Sequence, residues 1–284
     1  MEWKSHRIPE TAPASSRRSL RGAVAAGATA VVLLAAGSAA ADAPGMARLE
    51  GGAFPMGRDD GPADERPAHT VRLRPFLIDR LPVTHAQFAG FLDAAGTTDA
   101  EGRRYYDWDD GDARIHRVDG RFRADPALAD HPVNEASWAG ARAFCRARGK
   151  RLPTEAEWER AARGAEGRRH PWGDAPPDPA RARFDAGWMR TVPVGTLTAG
   201  ATPEGVMDLS GNVHEWTSSL YRPYPWRAGD GREDETAAGE RVTRGGAHDS
   251  PPEHLRAAWR GTGVSRGPRA GHHNIGFRCA RDAP

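Results

Sequence analysis

The chain has 284 residues, of which 38% are hydrophobic and 27% charged, and its formal net charge is +2. This length and composition suffice for one large domain with its own core. The small net charge, and the lack of a basic patch interleaved with aromatic residues, argue against a nucleic-acid partner. The 33 glycines, 23 prolines and nine tryptophans indicate a loop-rich fold held together by aromatic side chains.

Residues 1–41 have the pattern of an export signal. Arg17 and Arg18 precede an apolar run over 22–36, and a small-residue cleavage pattern follows at 39–41. Paired arginines are typical of the twin-arginine route. A retained membrane anchor is the alternative, but the run is rich in Ala and Gly and only weakly apolar. We therefore predict a signal peptide over 1–41, a periplasmic location and a mature domain over 42–284, with membrane contact only through an uncleaved signal.

Short strands and a first helix are predicted in the first third of that domain. Residues 51–57 and 71–79 read as strands, and Pro75 suggests that the second lies at a sheet edge. Acidic residues between the two strands, over 59–69, are interpreted as a solvated loop. Thr84 and Gln87 form a capping box that opens a helix, which we expect to end at Gly96.

Two more helices are predicted further along the chain. Ser137 caps the first, whose buried face includes Cys145 and which we expect to end at Gly149. Thr154 caps the second. Its three glutamates, Glu155, Glu157 and Glu159, are interpreted as capping groups and as partners of nearby arginines at 151, 160 and 163 rather than as acid–base catalysts.

The acidic segment 107–112 loosely resembles a calcium loop, since carboxylates alternate on both sides of Gly111. No glutamate completes the pattern, so a surface turn is the default interpretation and a cation site the alternative. The two cysteines, Cys145 and Cys279, do not stand beside basic residues in the pattern of an activated thiol. We interpret them as structural rather than catalytic.

A second acidic stretch runs from Gly205 to Ser219. It places Asp208 and Glu215 on either side of a Gly-Asn turn, and a flexible loop with acids at both ends can fold around a hard cation such as Ca²⁺. Gly211 can adopt the positive φ that turns its carbonyl inward. The alternative is a plain turn between strands in which Glu215 pairs with an arginine.

The same stretch resembles the "GLxDMxGNVxEW" signature of the formylglycine-generating enzymes, also called sulfatase-modifying factors. Other matching words follow one another over roughly 48–281: Gly51-Gly52-Ala53-Phe54-Pro55-Met56-Gly57, Arg151-Leu-Pro-Thr-Glu-Ala-Glu-Trp-Glu159, Pro171-Trp172-Gly173, Arg244-Gly245-Gly246 and Gly276-Phe277-Arg278-Cys279. The resemblance implies an α+β fold of the complex C-type-lectin-like kind, with little regular secondary structure.

The resemblance also assigns roles to individual residues. It implies a structural calcium ion held by Asp208, Gly211, Val213 and Glu215, the middle two through backbone oxygens. It further implies a disulfide between Cys145 and Cys279. A second calcium site of the family is not expected here, because Arg183 and Phe184 occupy the region of its asparagine.

The family's chemistry depends on copper(I), which two thiolates hold just after an Arg-Gly-Gly-Ser word. Soft sulfur ligands select Cu(I) over harder ions. In this chain the matching positions are Ser250 and Leu255, and the serine after the two glycines is Ala247. We therefore predict that the chain does not convert cysteine to formylglycine.

Polar residues stand in place of the thiolates and form the candidate site. They are His248, Asp249, Ser250, Glu253, His254, His272 and His273. Imidazole and carboxylate ligands suit iron, copper(II) or zinc, although Pro251 and Pro252 prevent a helical pairing of His248 with Glu253. A groove wall that binds a ligand by hydrogen bonds is the alternative.

Two functions follow. The first is an exported non-haem-metal enzyme or a maturation factor for a periplasmic pathway, of the kind that serves nitrite reduction or siderophore maturation in the resembling family. The second is a non-catalytic, lectin-like module that binds a peptide, a glycan or a partner enzyme. Calcium is the expected structural cofactor in both, with iron or copper added in the first.

Overall fold

A computed structural model describes residues 45–261 and 267–284. These residues belong to one unit of the chain, Ala40–Pro284, and the predicted signal peptide over 1–41 lies outside them. Each helix in the described ranges is too short or too polar to traverse a bilayer.

Short strands form four small sheets in the part of the chain that is described. The strands are β1 (Met46–Leu49), β2 (Gly52–Met56), β3 (His69–Leu73), β4 (Phe76–Asp79), β5 (Ile115–Val118), β6 (Arg121–Ala124), β7 (His214–Leu220), β8 (Arg241–Arg244), β9 (Ile275–Gly276) and β10 (Ala280–Asp282). Their orders are β1-β4-β10, β2-β3, β5-β6 and β8-β7-β9. All pairs are antiparallel except β7 with β9.

The predicted strand over 71–79 is two strands that belong to different sheets. Pro75 lies between β3 and β4, because proline has no N–H to donate to a ladder. β3 pairs only with β2, whereas β4 lies between β1 and β10. The prediction of an edge strand was therefore correct for β3 and wrong for β4.

Three α-helices occur in the described residues: α1 (His85–Ala95), α2 (Trp138–Arg146) and α3 (Glu155–Arg163). The capping boxes predicted at Thr84 and Thr154 are confirmed, and the Ser137 side chain accepts a hydrogen bond from the Gly140 N–H. α2 ends at Arg146, three residues before the predicted Gly149, which has a positive φ angle and lies in the following turn. Short 3₁₀ helices occupy Ala63–Glu65, Pro126–Leu128, Thr198–Gly200 and Pro252–Leu255.

The largest hydrophobic core lies between α1, α2 and the segment that follows β9. Phe88, Phe144 and Phe277 pack there with ring centroids 5.3 to 5.8 Å apart. Beside them a disulfide joins Cys145 to Cys279. Since these are the only cysteines of the chain, the structure agrees with the structural role predicted for both.

Two glutamates of α3 form ion pairs with the expected arginines, and both Glu155 and Glu159 pair with Arg244, which was not expected. Glu157 pairs with Arg151, and Glu159 with Arg163, as predicted. Glu155 is fully buried and pairs instead with Arg244 and Arg260. The loop over 59–69 also differs from its prediction, since Glu65 is buried and bound by Arg256.

Candidate functional site

The three-stranded sheet β8-β7-β9 positions the candidate site. β8 runs antiparallel to β7, with Arg244 opposite Glu215, and β9 runs parallel to it, with Ile275 opposite His214. The end of β8 and the starts of β7 and β9 therefore meet at one edge of the sheet. Residues just after β8 and just before β9 are brought together at that edge.

The loop that follows β8 carries the positions where the resembling family has its thiolates. Gly245 and Gly246 have positive φ angles of 99° and 69°, and a Cβ at Gly245 would come within 3.1 Å of the Trp158 ring. Ser250 is buried, and its hydroxyl accepts a hydrogen bond from the backbone N–H of Ala247 at 2.9 Å. Leu255 is fully buried. Neither position offers a sulfur ligand.

Asp249 and His273 form the closest contact among the predicted site residues. The Oδ2 atom of Asp249 lies 3.0 Å from Nε2 of His273, and the Asn274 amide donates to both Asp249 oxygens at 3.3 and 3.2 Å. Burial alone would raise the pKa of Asp249, but the hydrogen bonds from His273 and Asn274 hold it well below its usual range. The Asp249 carboxylate thus remains charged and orients the His273 ring.

The other predicted residues lie in different surroundings. His248 is buried with its ring 6.2 Å from that of His273, and its Nδ1 atom hydrogen-bonds the Asn212 carbonyl. His254 stacks on Trp259. Glu253 lines a separate surface pocket of about 440 Å³.

His272 has surroundings different from those of His273. It lines a pocket of about 590 Å³ together with Trp138 and Arg241, and its backbone carbonyl accepts a hydrogen bond from the N–H of Glu135. The seven predicted residues are therefore distributed around the sheet edge rather than gathered at one point.

Two residues of the site were not predicted. Trp188 is 61% exposed, stacks on His273 with ring centroids 3.7 Å apart, and donates from Nε1 to Asp112 at 3.1 Å. His214 is buried at the start of β7 and stacks on Trp259. His214 stands inside the recognised signature and could have been found there. Trp188 carries no such signal, because only the folded loops bring it to His273.

The predicted calcium ligands of the Gly205 stretch adopt a sharp turn. Asp208, Gly211 and Asn212 all have positive φ angles, and a Cβ at Gly211 would collide with the Arg183 carbonyl oxygen at 2.3 Å. Glycine at this position is therefore required by the close approach of the two backbones.

The carboxylates of this turn have different partners. Both oxygens of Glu215 accept hydrogen bonds from Arg278, and Oε2 also accepts one from Trp158. This is the arginine pairing considered as the alternative to an ion. Asp208 accepts one hydrogen bond, from the Gly195 N–H, and its burial raises its pKa. Asp208 fits a cation, whereas Glu215 already has a counter-ion, so calcium at this turn stays a prediction.

The histidines have the ligand chemistry that a transition metal needs, but among the described residues no three of their nitrogens lie close enough together to bind one ion. His248 Nε2, His214 Nδ1 and His272 Nε2 are buried without a hydrogen-bond partner. Burial lowers the pKa of each ring, to about 3 for His214, and so favours the neutral form that binds metals. Within the described ranges, however, only one group of three such ligand atoms lies within 4.8 Å of one another, and it contains no histidine. The predicted set is not an assembled three-ligand centre.

Comparisons with known proteins identify the same family as the sequence motifs do. Residues 34–283 match the family described as the sulfatase-modifying factor enzyme 1-like domain. A formylglycine-generating enzyme of Streptomyces coelicolor is 37% identical over 84% of this chain and 90% of its own length. A hercynine oxygenase of Mycolicibacterium thermoresistibile is 38% identical over 57% of this chain and 40% of its own length.

The chain is also similar to proteins that carry other names. A chlamydial serine/threonine-protein kinase, pkn1 of Chlamydia pneumoniae, is 37% identical over 84% of this chain, which spans only 38% of that relative. Among solved structures, PvdO from Pseudomonas aeruginosa is similar with a TM-score of 0.60 and 25% identity, over 84% of this chain and 94% of PvdO. CarF is similar with a TM-score of 0.57 and 22% identity, over 84% and 98%. These two structures share the loop-rich α+β fold.

Proposed function

Because the chain belongs to the family of the sulfatase-modifying factor enzyme 1-like domain, we propose that it is a member that does not generate formylglycine. We propose further that it is exported and acts as a non-haem-metal enzyme or a maturation factor on a client of a periplasmic pathway, of the nitrite-reduction or siderophore-maturation type. We call the surface formed by Trp188, Asp249, His273 and Asn274 the sheet-edge groove, and we propose that it binds the client.

The loss of sulfur ligands carries the first part of the proposal. Ser250 and Leu255 stand where Cu(I) would need thiolates, and both cysteines of the chain are joined in a disulfide. The similarity to a formylglycine-generating enzyme thus supports the fold without supporting that enzyme's copper chemistry.

The polar groove carries the second part. Asp249 orients His273. A His–carboxylate pair of this kind can accept a proton from a bound client or return one to it. The neutral rings of His248 and His272 offer nitrogen donors that suit iron or copper. The relative named hercynine oxygenase supports oxidative chemistry on this scaffold.

A single preparation tests both parts. Protein recovered from the periplasm is assayed for aldehyde formation on a sulfatase-type cysteine peptide, by mass spectrometry in air, and for bound metals. We expect no aldehyde. Aldehyde formed at a rate comparable to that of a formylglycine-generating enzyme would overturn the proposal.

The second candidate function is a lectin-like binding module, which the exposed Trp188 favours. Its ring is held flat against His273 and so presents an apolar face to a peptide, glycan or partner enzyme. Metal content separates the two candidates. Iron, copper or zinc at one ion per chain that is lost in His248→Ala and His272→Ala favours the enzyme, and calcium alone favours the module. His116→Ala, on the exposed face of β5, is the matched control.

A further inference from the structure

Three carboxylates meet beside the groove, outside the turn for which calcium was predicted. Asp110 and Asp112 come from the acidic segment, and Glu135 from the residues before α2. One oxygen of each lies within 4.8 Å of the oxygens of the other two. We call this group the carboxylate triad.

Glu135 is the member that points to a ligand. The residue is 2% exposed, and its carboxylate takes part in none of the side-chain hydrogen bonds or ion pairs of the described residues, although its oxygens are not sealed from solvent. Its backbone is held in place, since its N–H donates to the His272 carbonyl and its own carbonyl accepts from the Asp107 N–H. A buried carboxylate without a partner is costly to hold, and a bound cation offsets that cost.

Arg114 approaches the triad, but less closely than Arg278 approaches Glu215. Arg114 comes no closer than 4.0 Å to Asp112, and it donates to the backbone carbonyls of Gly111 and Ala113 instead. Arg114 therefore offsets the negative charge gathered here only in part, at the distance limit of an ion pair.

We propose that the carboxylate triad binds a hard divalent cation of the calcium type. Carboxylate oxygens are the ligands such ions prefer, and two oxygens at about 2.4 Å from one Ca²⁺ can lie no more than about 4.8 Å apart. The separations in the triad satisfy that limit. Water or a groove ligand completes the coordination.

The ion would also fix one wall of the groove. Asp112 accepts the hydrogen bond of Trp188, and Trp188 stacks on His273. Binding at the triad therefore holds the aromatic face in the position described above.

Luminescence of Tb³⁺, a probe for calcium sites, tests the proposal on the full-length protein. Trp188 touches a triad ligand, so we expect it to sensitise Tb³⁺ emission that Ca²⁺ displaces. Glu135→Gln should lower the calcium affinity, measured by calorimetry, by roughly tenfold or more. Trp188→Phe should lose the emission while keeping the affinity within a few-fold.

Two matched controls separate this site from others. Asp109→Asn changes an acid on the same segment that pairs with Arg104, and Glu101→Gln changes an exposed acid that pairs with Arg103. Both should leave the Trp188-dependent emission unchanged. Equal calcium affinity and stoichiometry in the parent and in Glu135→Gln would overturn the proposal. Asp110→Asn repeats the test if circular dichroism shows that Glu135→Gln does not fold.

Discussion

The carboxylate of Glu215 is bound at both oxygens by the guanidinium of Arg278, each at 2.7 Å, and both side chains are buried. Arg278 uses its remaining donors on the backbone carbonyls of Asp79, Arg80 and Met207. One arginine thus ties the start of β7 to the end of β4 and to the turn before Asp208. This places a counter-ion where the sequence alone allowed either an arginine or a calcium ion.

Removing that arginine should destabilise the fold strongly. Arg278→Met leaves the Glu215 charge buried and unpaired, for which we expect a loss of about 3–5 kcal/mol in the free energy of unfolding, measured by urea denaturation. Arg48→Met breaks the exposed pair with Glu50 and should cost less than about 1 kcal/mol. Equal losses in the two variants would contradict the assignment. Repeating the measurement with Ca²⁺ and with chelator tests whether an ion adds to the arginine.

The disulfide should contribute a comparable amount. Its cysteines are 134 positions apart, and closing a loop of that size restricts the unfolded chain by about 4–5 kcal/mol in the chain-entropy description. We expect the double variant Cys145→Ala, Cys279→Ala to lose that much stability, and its urea midpoint to be insensitive to reductant. If a strong reductant also leaves the urea midpoint of the parent protein unchanged, the disulfide does not form in solution.

His214 should make the protein sensitive to acid. Burial lowers its pKa from about 6.5 to about 3. Between these values the unfolded chain takes up a proton and the folded protein does not, so stability falls as the pH falls below about 6.5. His214→Phe keeps an aromatic ring on Trp259 and should lessen that fall by about 1 kcal/mol per pH unit.

The measurement compares urea unfolding at pH 7 and pH 5. His116→Phe changes an exposed histidine on β5 and should leave the pH dependence of the parent intact. If His214→Phe has the same pH dependence as the parent, the buried ring is not neutral in the folded state.

Restoring sulfur at the groove should restore copper binding. The double variant Ser250→Cys, Leu255→Cys places two thiolates where the family holds Cu(I), and we expect it to take Cu(I) from a chelator under anaerobic conditions. The parent should not, since its cysteines are joined to each other. Each single variant is a control that supplies one ligand and should bind more weakly. Copper binding by the double variant no stronger than by the parent would mean that the loop after β8 does not bring the two positions together.

The sequence determined the local structure of this chain and its family. The caps at Thr84, Ser137 and Thr154 were predictable because each bonds a backbone N–H three residues away. The absence of thiolates at Ser250 and Leu255 was equally readable, since it needs only the register of a recognised motif.

Only the tertiary structure decided which distant groups meet. Glu155 pairs with Arg260, which is 105 positions away in the chain. Trp188 stacks on His273, although no motif in either segment predicts that contact. The same holds for Glu135, whose carboxylate reaches Asp110 and Asp112 through the folding of two separate loops. In a fold with so little regular structure, side-chain periodicity gives no register between segments. The positions of charged groups and aromatic rings around the groove therefore depend on how the loops pack. That packing cannot be read from local patterns in the sequence.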